Sequence, residues 1–132
     1  LANCVPYVLN GNLLEVSGQI SEAVAGVAVT AKLGVDVAVA GGWTPAELCA
    51  LSILAQVRAA VGVLGRFARS VRLNAFVNSA SELTDRPLVV NGASNLIATV
   101  PGDKGKHHRM AFGVAALPLG VAVEIDAIIE VF

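Results

Sequence analysis

The feature that most constrains this chain is a change of hydrophobic period between two neighbouring segments. After Thr44 the apolar residues recur at helical spacing. Leu48, Leu51 and Ala55 form one row, and Ala50, Leu54, Val57, Val61 and Leu64 form another. Together they predict one broad buried stripe. Thr44-Pro45-Ala46-Glu47 reads as a capping box with proline at the first helical position. Gly62 and Gly65 offer the stop. A few residues later the period is two: Val71, Leu73, Ala75 and Val77 alternate with Arg72, Asn74, Phe76 and Asn78. That is a strand with one face in a core.

The remaining segments are read around this pair. Tyr7-Val8-Leu9, the turn signal Asn10-Gly11-Asn12 and Leu13-Leu14-Glu15-Val16 predict paired strands running into Ser17-Gly18-Gln19-Ile20. A glycine inside a strand, as at Gly18, often marks a close backbone approach. Ala23 to Ala40 reads as irregular. A second helix is expected over Leu88 to Val100, with Val89, Ala93, Leu96, Ile97 and Val100 inward. Asn91-Gly92 costs that helix propensity and points either to a ligand or to a packing demand. Met110 to Ala116, the turn Leu117-Pro118-Leu119-Gly120 and Val121 to Phe132 read as a closing hairpin. Residues 1–132 read as a single domain.

Composition excludes several classes. Only 14% of the 132 residues are charged, against about 25% in an average soluble protein. A net charge of −1 gives no footprint for nucleic acid or an anionic membrane. The longest charge-free apolar run, Met110 to Val123, carries Gly113, Pro118 and Gly120. It is too short to span a bilayer. No basic stretch precedes an apolar run at the N-terminus, and Leu1 in place of Met leaves room for a short leader. Valine and alanine, 21 and 22 residues, leave more apolar surface than so few charges can coat. An interface buried in an oligomer is the simplest outlet. Cys4 and Cys49 form neither a disulfide framework nor a metal pattern, and read as free thiols in a reducing cytosol.

The hairpin carries the sharpest chemistry. With its turn at 117–120, Glu124 lies near Gly113, Asp126 near Ala111 and Ile128 near Arg109. Arg109, Ala111, Gly113 and Glu124 then share one face, while Met110, Phe112 and Val114 pack inward with Val123 and Ile125. A guanidinium and a carboxylate would flank a floor of small residues. An Arg fork suits a carboxylate or phosphate, and a glutamate suits proton transfer. The alternative is a solvated face with ordinary charges, and a slip of one residue would exchange the faces. His107-His108 invites a metal, but adjacent side chains diverge and the donors are too few, so exposed loop histidines are expected. Lys104 and Lys106 read as loop solvation, and Gly102-x-x-Gly105 is a weak phosphate-loop signal. Ser17 has no matched His and acidic partner for a nucleophile.

Pro6-Tyr7-Val8, Gly11-Asn12-Leu13-Leu14 and Val16-Ser17-Gly18-Gln19-Ile20 resemble the opening of the Rid family, also called YjgF, RidA or L-PSP proteins. The resemblance continues through Asn91-Gly92-Ala93-Ser94, Gly105-x-His107-x-Arg109-x-Ala111-x-Gly113, Leu117-Pro118 and Val123-Glu124-Ile125-x-Ala127. It implies a chorismate-mutase-like α+β fold, a mixed sheet with two helices on one face. It also implies a cytoplasmic homotrimer whose sheets form a central barrel, with ligand clefts between subunits. The implied activity is hydrolysis of 2-imino acids of the 2-aminoacrylate type to 2-keto acids and ammonia, without metal or organic cofactor. On this resemblance Arg109 binds the substrate carboxylate and Glu124 activates water. Tyr7, Ser17, Gly18 and Asn91 line the cleft. Ala111 stands where well-known members carry cysteine. The alternative is a non-catalytic small-carboxylate-binding or regulatory module. An L-PSP-type endoribonuclease is disfavoured by the absent basic patch.

Overall fold

The computed structural model describes residues 3–23 and 25–132. Leu1, and Val24 inside the expected irregular segment, lie outside the described residues. Five strands and two helices follow in the order β1 (Tyr7–Asn10), β2 (Leu13–Ile20), α1 (Trp43–Val61), β3 (Phe67–Asn78), α2 (Arg86–Thr99), β4 (His108–Val114) and β5 (Val123–Val131). Gly11, at φ +62°, makes the tight turn between β1 and β2. Isolated bridges, such as Thr30 with Val121, tie down the segment between β2 and α1.

The capping box does not form. A 3-10 turn, Val39–Gly42, runs directly into α1, so Gly42 occupies the cap position and Thr44 lies inside the helix without a side-chain cap bond. The stop is as the glycine predicted: Gly62, at φ +87°, donates its N–H to the Arg58 carbonyl at 2.8 Å. The buried stripe of α1 is Ala46, Cys49, Ala50, Ile53, Leu54, Val57 and Val61. Leu51, Ala55 and Leu64 are exposed and Leu48 is half-buried. The row Ala50, Leu54, Val57 and Val61 is thus buried as expected, while Ala46, Cys49 and Ile53 take the place of the Leu48, Leu51 and Ala55 row, because α1 meets both the sheet and α2. In α2, Val89, Val90, Ala93 and Ile97 are buried, whereas Val100 is exposed. Gly92 is a packing glycine. A Cβ there would lie 2.5 Å from the Trp43 carbonyl oxygen of α1.

The sheet order is β1-β2-β5-β3-β4, so the expected closing hairpin is absent. β4 pairs parallel with β3, and β5 lies antiparallel between β2 and β3. Helix α2 between β3 and β4 is the crossover that a parallel pair requires. Both helices cover one face, against Leu14, Val16, Leu73, Ala75, Val77, Ile125 and Ile129. The opposite face is uncovered. It carries the stacked rings of Phe76 and Phe112, centroids 5.5 Å apart, and Met110, which is 52% exposed. Among the described residues, no helix is long and apolar enough to cross a membrane.

Candidate functional site

The parallel pairing exchanges the two faces of β4 relative to the expected hairpin, whereas Val123 and Ile125 of β5 point inward as expected. Leu73 pairs with both Arg109 and Ala127, and Leu73 and Ala127 are buried. Arg109 therefore lies on the helix-covered side, with Ala111 and Gly113. Phe76 pairs with both Phe112 and Glu124, which places Glu124 on the open face. Two strand spacings, roughly 10 Å, also separate β4 from β5. Within one chain, Arg109 and Glu124 do not share a face.

The seven residues of the sequence-derived site fall into two groups. Arg109, Asn91 and Ala111 sit at the β4 edge. A cleft of about 300 Å³ is lined there by Asn91, Ser94, His107 and Arg109. Arg109 donates from Nη1 to Ser94 Oγ at 2.9 Å and from Nη2 to the Pro87 carbonyl at 3.2 Å. These use two of its five N–H donors. Among the described residues the ion pair present is Lys106 with Asp103, so no carboxylate neutralises Arg109. Burial pulls its pKa down from the ordinary value, but a guanidinium stays charged. Ala111 packs beside it against the core.

His107 is a half-buried part of this cleft rather than an exposed loop residue. Nδ1 lies 2.6 Å from the Gly105 carbonyl, which only accepts, so Nδ1 carries the proton. Nε2, 3.0 Å from Ser94 Oγ, then accepts from the serine hydroxyl. A directional chain results: Arg109 donates to Ser94, Ser94 to His107, and His107 to Gly105. Burial, then the Arg109 and His108 charges, hold the His107 pKa below its ordinary value, while the Gly105 carbonyl pulls it up. Neutral His107 is the form the chain needs. Ser94 and His107 were not singled out as site residues. Ser94 follows Asn91 by three on α2, the spacing that puts both on one helix face.

The second group lies across the sheet. Glu124 on β5 is half-buried, and burial, then the Asp126 carboxylate, raise its pKa. A Cβ at Gly18 would overlap Glu124 Oε1, so the bare glycine makes room for the carboxylate. Gly18 sits in the irregularity of β2 between Val16 and Gln19. Ser17 Oγ donates to the Val5 carbonyl at 2.7 Å and so shapes that segment. Tyr7, on the β1 edge, pairs with Val16 on the helix side and packs on the core. Beneath Glu124, Cys49 donates Sγ to the Val123 carbonyl at 3.4 Å. Burial, with the Glu124 charge behind it, pushes its thiol pKa far up, so Cys49 is an unreactive thiol. Among the described residues, no three His, Cys, Asp or Glu side chains gather to hold a metal.

Residues 1–130 match the family profile "YjgF/chorismate_mutase-like, putative endoribonuclease". The chain belongs to the YjgF/chorismate-mutase-like family. It is 46% identical over 129 residues to protein TCP17 of Trypanosoma cruzi, covering 97% of this chain and 81% of that protein. It resembles the crystal structure of Atu1372 of Agrobacterium tumefaciens, a protein of unknown function, with TM-score 0.96 and 52% identity over 100% of this chain and 85% of that one. The fold is shared with E. coli TdcF, solved with bound serine, at TM-score 0.68 and 20% identity over 98% and 89% of the two chains.

Proposed function

We propose that this YjgF-family chain is an enamine/imine deaminase that hydrolyses small 2-imino acids to 2-keto acids and ammonia. The observation that carries it is Arg109, held in a cleft by Ser94 and Pro87 with three N–H donors unspent and, among the described residues, no carboxylate partner. That is an anchor for a carboxylate. Water adds to the C=N carbon as a carboxylate takes its proton. The carbinolamine then collapses, returning the proton to nitrogen and releasing ammonia. Glu124 fits the base role because its raised pKa makes it more basic than a surface glutamate. Ala111 supplies neither acid nor nucleophile in this scheme.

Arg109 and Glu124 lie on opposite faces of the sheet, so the reading requires a second copy. A neighbouring subunit brings the Glu124, Gly18 and Ser17 region against the Arg109 cleft, with Tyr7 bordering it. On the uncovered sheet face Met110, Phe76 and Phe112 lie among polar side chains such as Asn74 and Asp126, and their partly exposed apolar surface supports a homotrimeric barrel as that assembly. No cofactor enters the scheme, and a reducing cytosol suits the unpaired Cys4 and Cys49. The test generates 2-aminoacrylate in situ and traps the remainder with semicarbazide. Wild type accelerates its decay, and Arg109→Ala lowers kcat/KM by about 10²-fold or more. Unchanged decay with wild type, or full activity in Arg109→Ala, overturns the reading. Ala111, in place of the family cysteine, favours one second reading, a module that binds small carboxylates without turning them over. Saturable pyruvate binding without deamination would establish it.

A further inference from the structure

We propose that the cavity between the end of β3, the start of α2 and the end of β4 is a second anion site, taking the phosphate or carboxylate group of a small molecule. It encloses about 440 Å³, lined by Lys32, Ser79, Arg86 and Gly113 among others, and shares no lining residue with the Arg109 cleft. The inference is independent of deaminase activity.

Two cations meet there, and neither is neutralised within the described chain. Lys32 Nζ donates to Asn78 Oδ1 at 2.8 Å and to the Ala115 carbonyl. Arg86 donates from Nε to Ser79 Oγ at 2.9 Å and from Nη2 to the Ala80 carbonyl at 3.2 Å. All four acceptors are uncharged. Lys32 and Arg86 are half-buried, while Asn78 and Ser79 are buried. A partly desolvated cation on neutral oxygens costs free energy that a counter-ion would recover. Two nearby carboxylates are turned to other partners. Asp36 accepts from the Lys32 backbone N–H at 2.8 Å, and Glu82 from Ser81 Oγ at 2.9 Å. Neither they nor Asp85 lines the cavity.

The geometry also leaves donors to spare. One ammonium N–H of Lys32, three guanidinium N–H groups of Arg86 and the Ser79 hydroxyl remain for an oxyanion. Gly113 completes the cradle. A Cβ there would overlap Arg86 Nε, so the glycine lets the guanidinium lie on the β4 backbone. Fixed by Ser79, Ala80 and Gly113, that fork is pre-organised for planar, bidentate recognition.

Isothermal titration of the full chain with inorganic phosphate, and separately with succinate, tests the site at low ionic strength. The heat counted is what persists in Arg109→Ala, which removes ions taken up in the other cleft. One ion per chain should bind saturably. Saturation by phosphate identifies a phosphoryl ligand, and saturation by succinate a carboxylate. Lys32→Gln should weaken binding by about tenfold or more. Gly113→Ala, which changes no charge, should weaken it by displacing Arg86. Thermal unfolding establishes that each variant is folded, and if Gly113→Ala is not, Lys32→Gln decides alone. No saturable binding of either ion, or binding unaltered in the folded variants, overturns the proposal.

Discussion

A methyl group at position 18 has nowhere to go except into the Glu124 carboxylate. Gly18→Ala therefore moves the proposed base without altering any charge. The expected result is a fall in kcat of about 10–10²-fold with KM nearly unchanged, read from steady-state kinetics on 2-aminoacrylate. His107 makes a pH prediction. Its folded pKa lies below the ordinary 6.5, with burial the main cause. The unfolded chain then binds the proton more readily, so stability is complete above pH 6.5 and falls as the pH drops from there to the lowered value. Glu124 and Asp126 are raised, mainly by burial, and act in the opposite sense, losing stability as pH rises through their raised values. Thermal unfolding from pH 5 to 8 should show a shallower acid-side loss in His107→Gln than in wild type. An identical slope would remove His107 as its source. Arg109, Glu124 and Gly18 were legible because motif spacing marks them. Their surroundings were not, because Ser94 and His107 reach Arg109 only once α2 and β4 are brought side by side.

Helix propensity favours alanine over glycine by about 1 kcal/mol inside a helix. At Gly92 the structure reverses that preference, because the Trp43 carbonyl of α1 occupies the space of a Cβ. Gly92→Ala should destabilise by about 1–3 kcal/mol in denaturant unfolding. Thr44→Ala should change stability by less than about 0.5 kcal/mol, since Thr44 caps nothing. If the order of the two effects were reversed, α1 would begin at a capping box after all. The periods that reveal α1, α2 and β3 are properties of single segments, and these elements were legible. The pairing of β4 was misread by joining neighbours in sequence across a turn. Pro118–Gly120 does turn the chain, but it leads β5 away from β4 to a slot between β2 and β3. Helix α2 between two strands was the overlooked signal for a parallel pair. Since side chains alternate with period two, one wrong pairing turned Arg109, Ala111 and Gly113 to the wrong side.

At the scale of the whole molecule, the separation of Arg109 from Glu124 sets a test of shared sites. Arg109→Ala and Glu124→Gln are each expected to be inactive. Denatured together in equal amounts and refolded, they should regain about a quarter of wild-type activity. In a ring of shared clefts, that fraction unites an intact Arg109 with a neighbour's intact Glu124. No recovery in mixed oligomers, confirmed as such by native mass spectrometry, would place both groups' action within one chain. The excess of valine and alanine also gains two locations. Small residues allow the close approach of α1 to α2, and the covered sheet face is built largely of valine and alanine, among them Val16, Ala75, Val77, Val123, Ala127 and Val131. The strand order has one more consequence, in time rather than space. β5 is the last strand of the sheet to leave the ribosome, yet it is the one that joins β1-β2 to β3-β4. Until Val123–Val131 emerges, β2 and β3 each present an unpaired edge, and the nascent chain holds two half-sheets with no ladder between them. The sheet closes only once β5 has emerged, through contacts distant in sequence, and the chain depends most on protection from its neighbours during that interval.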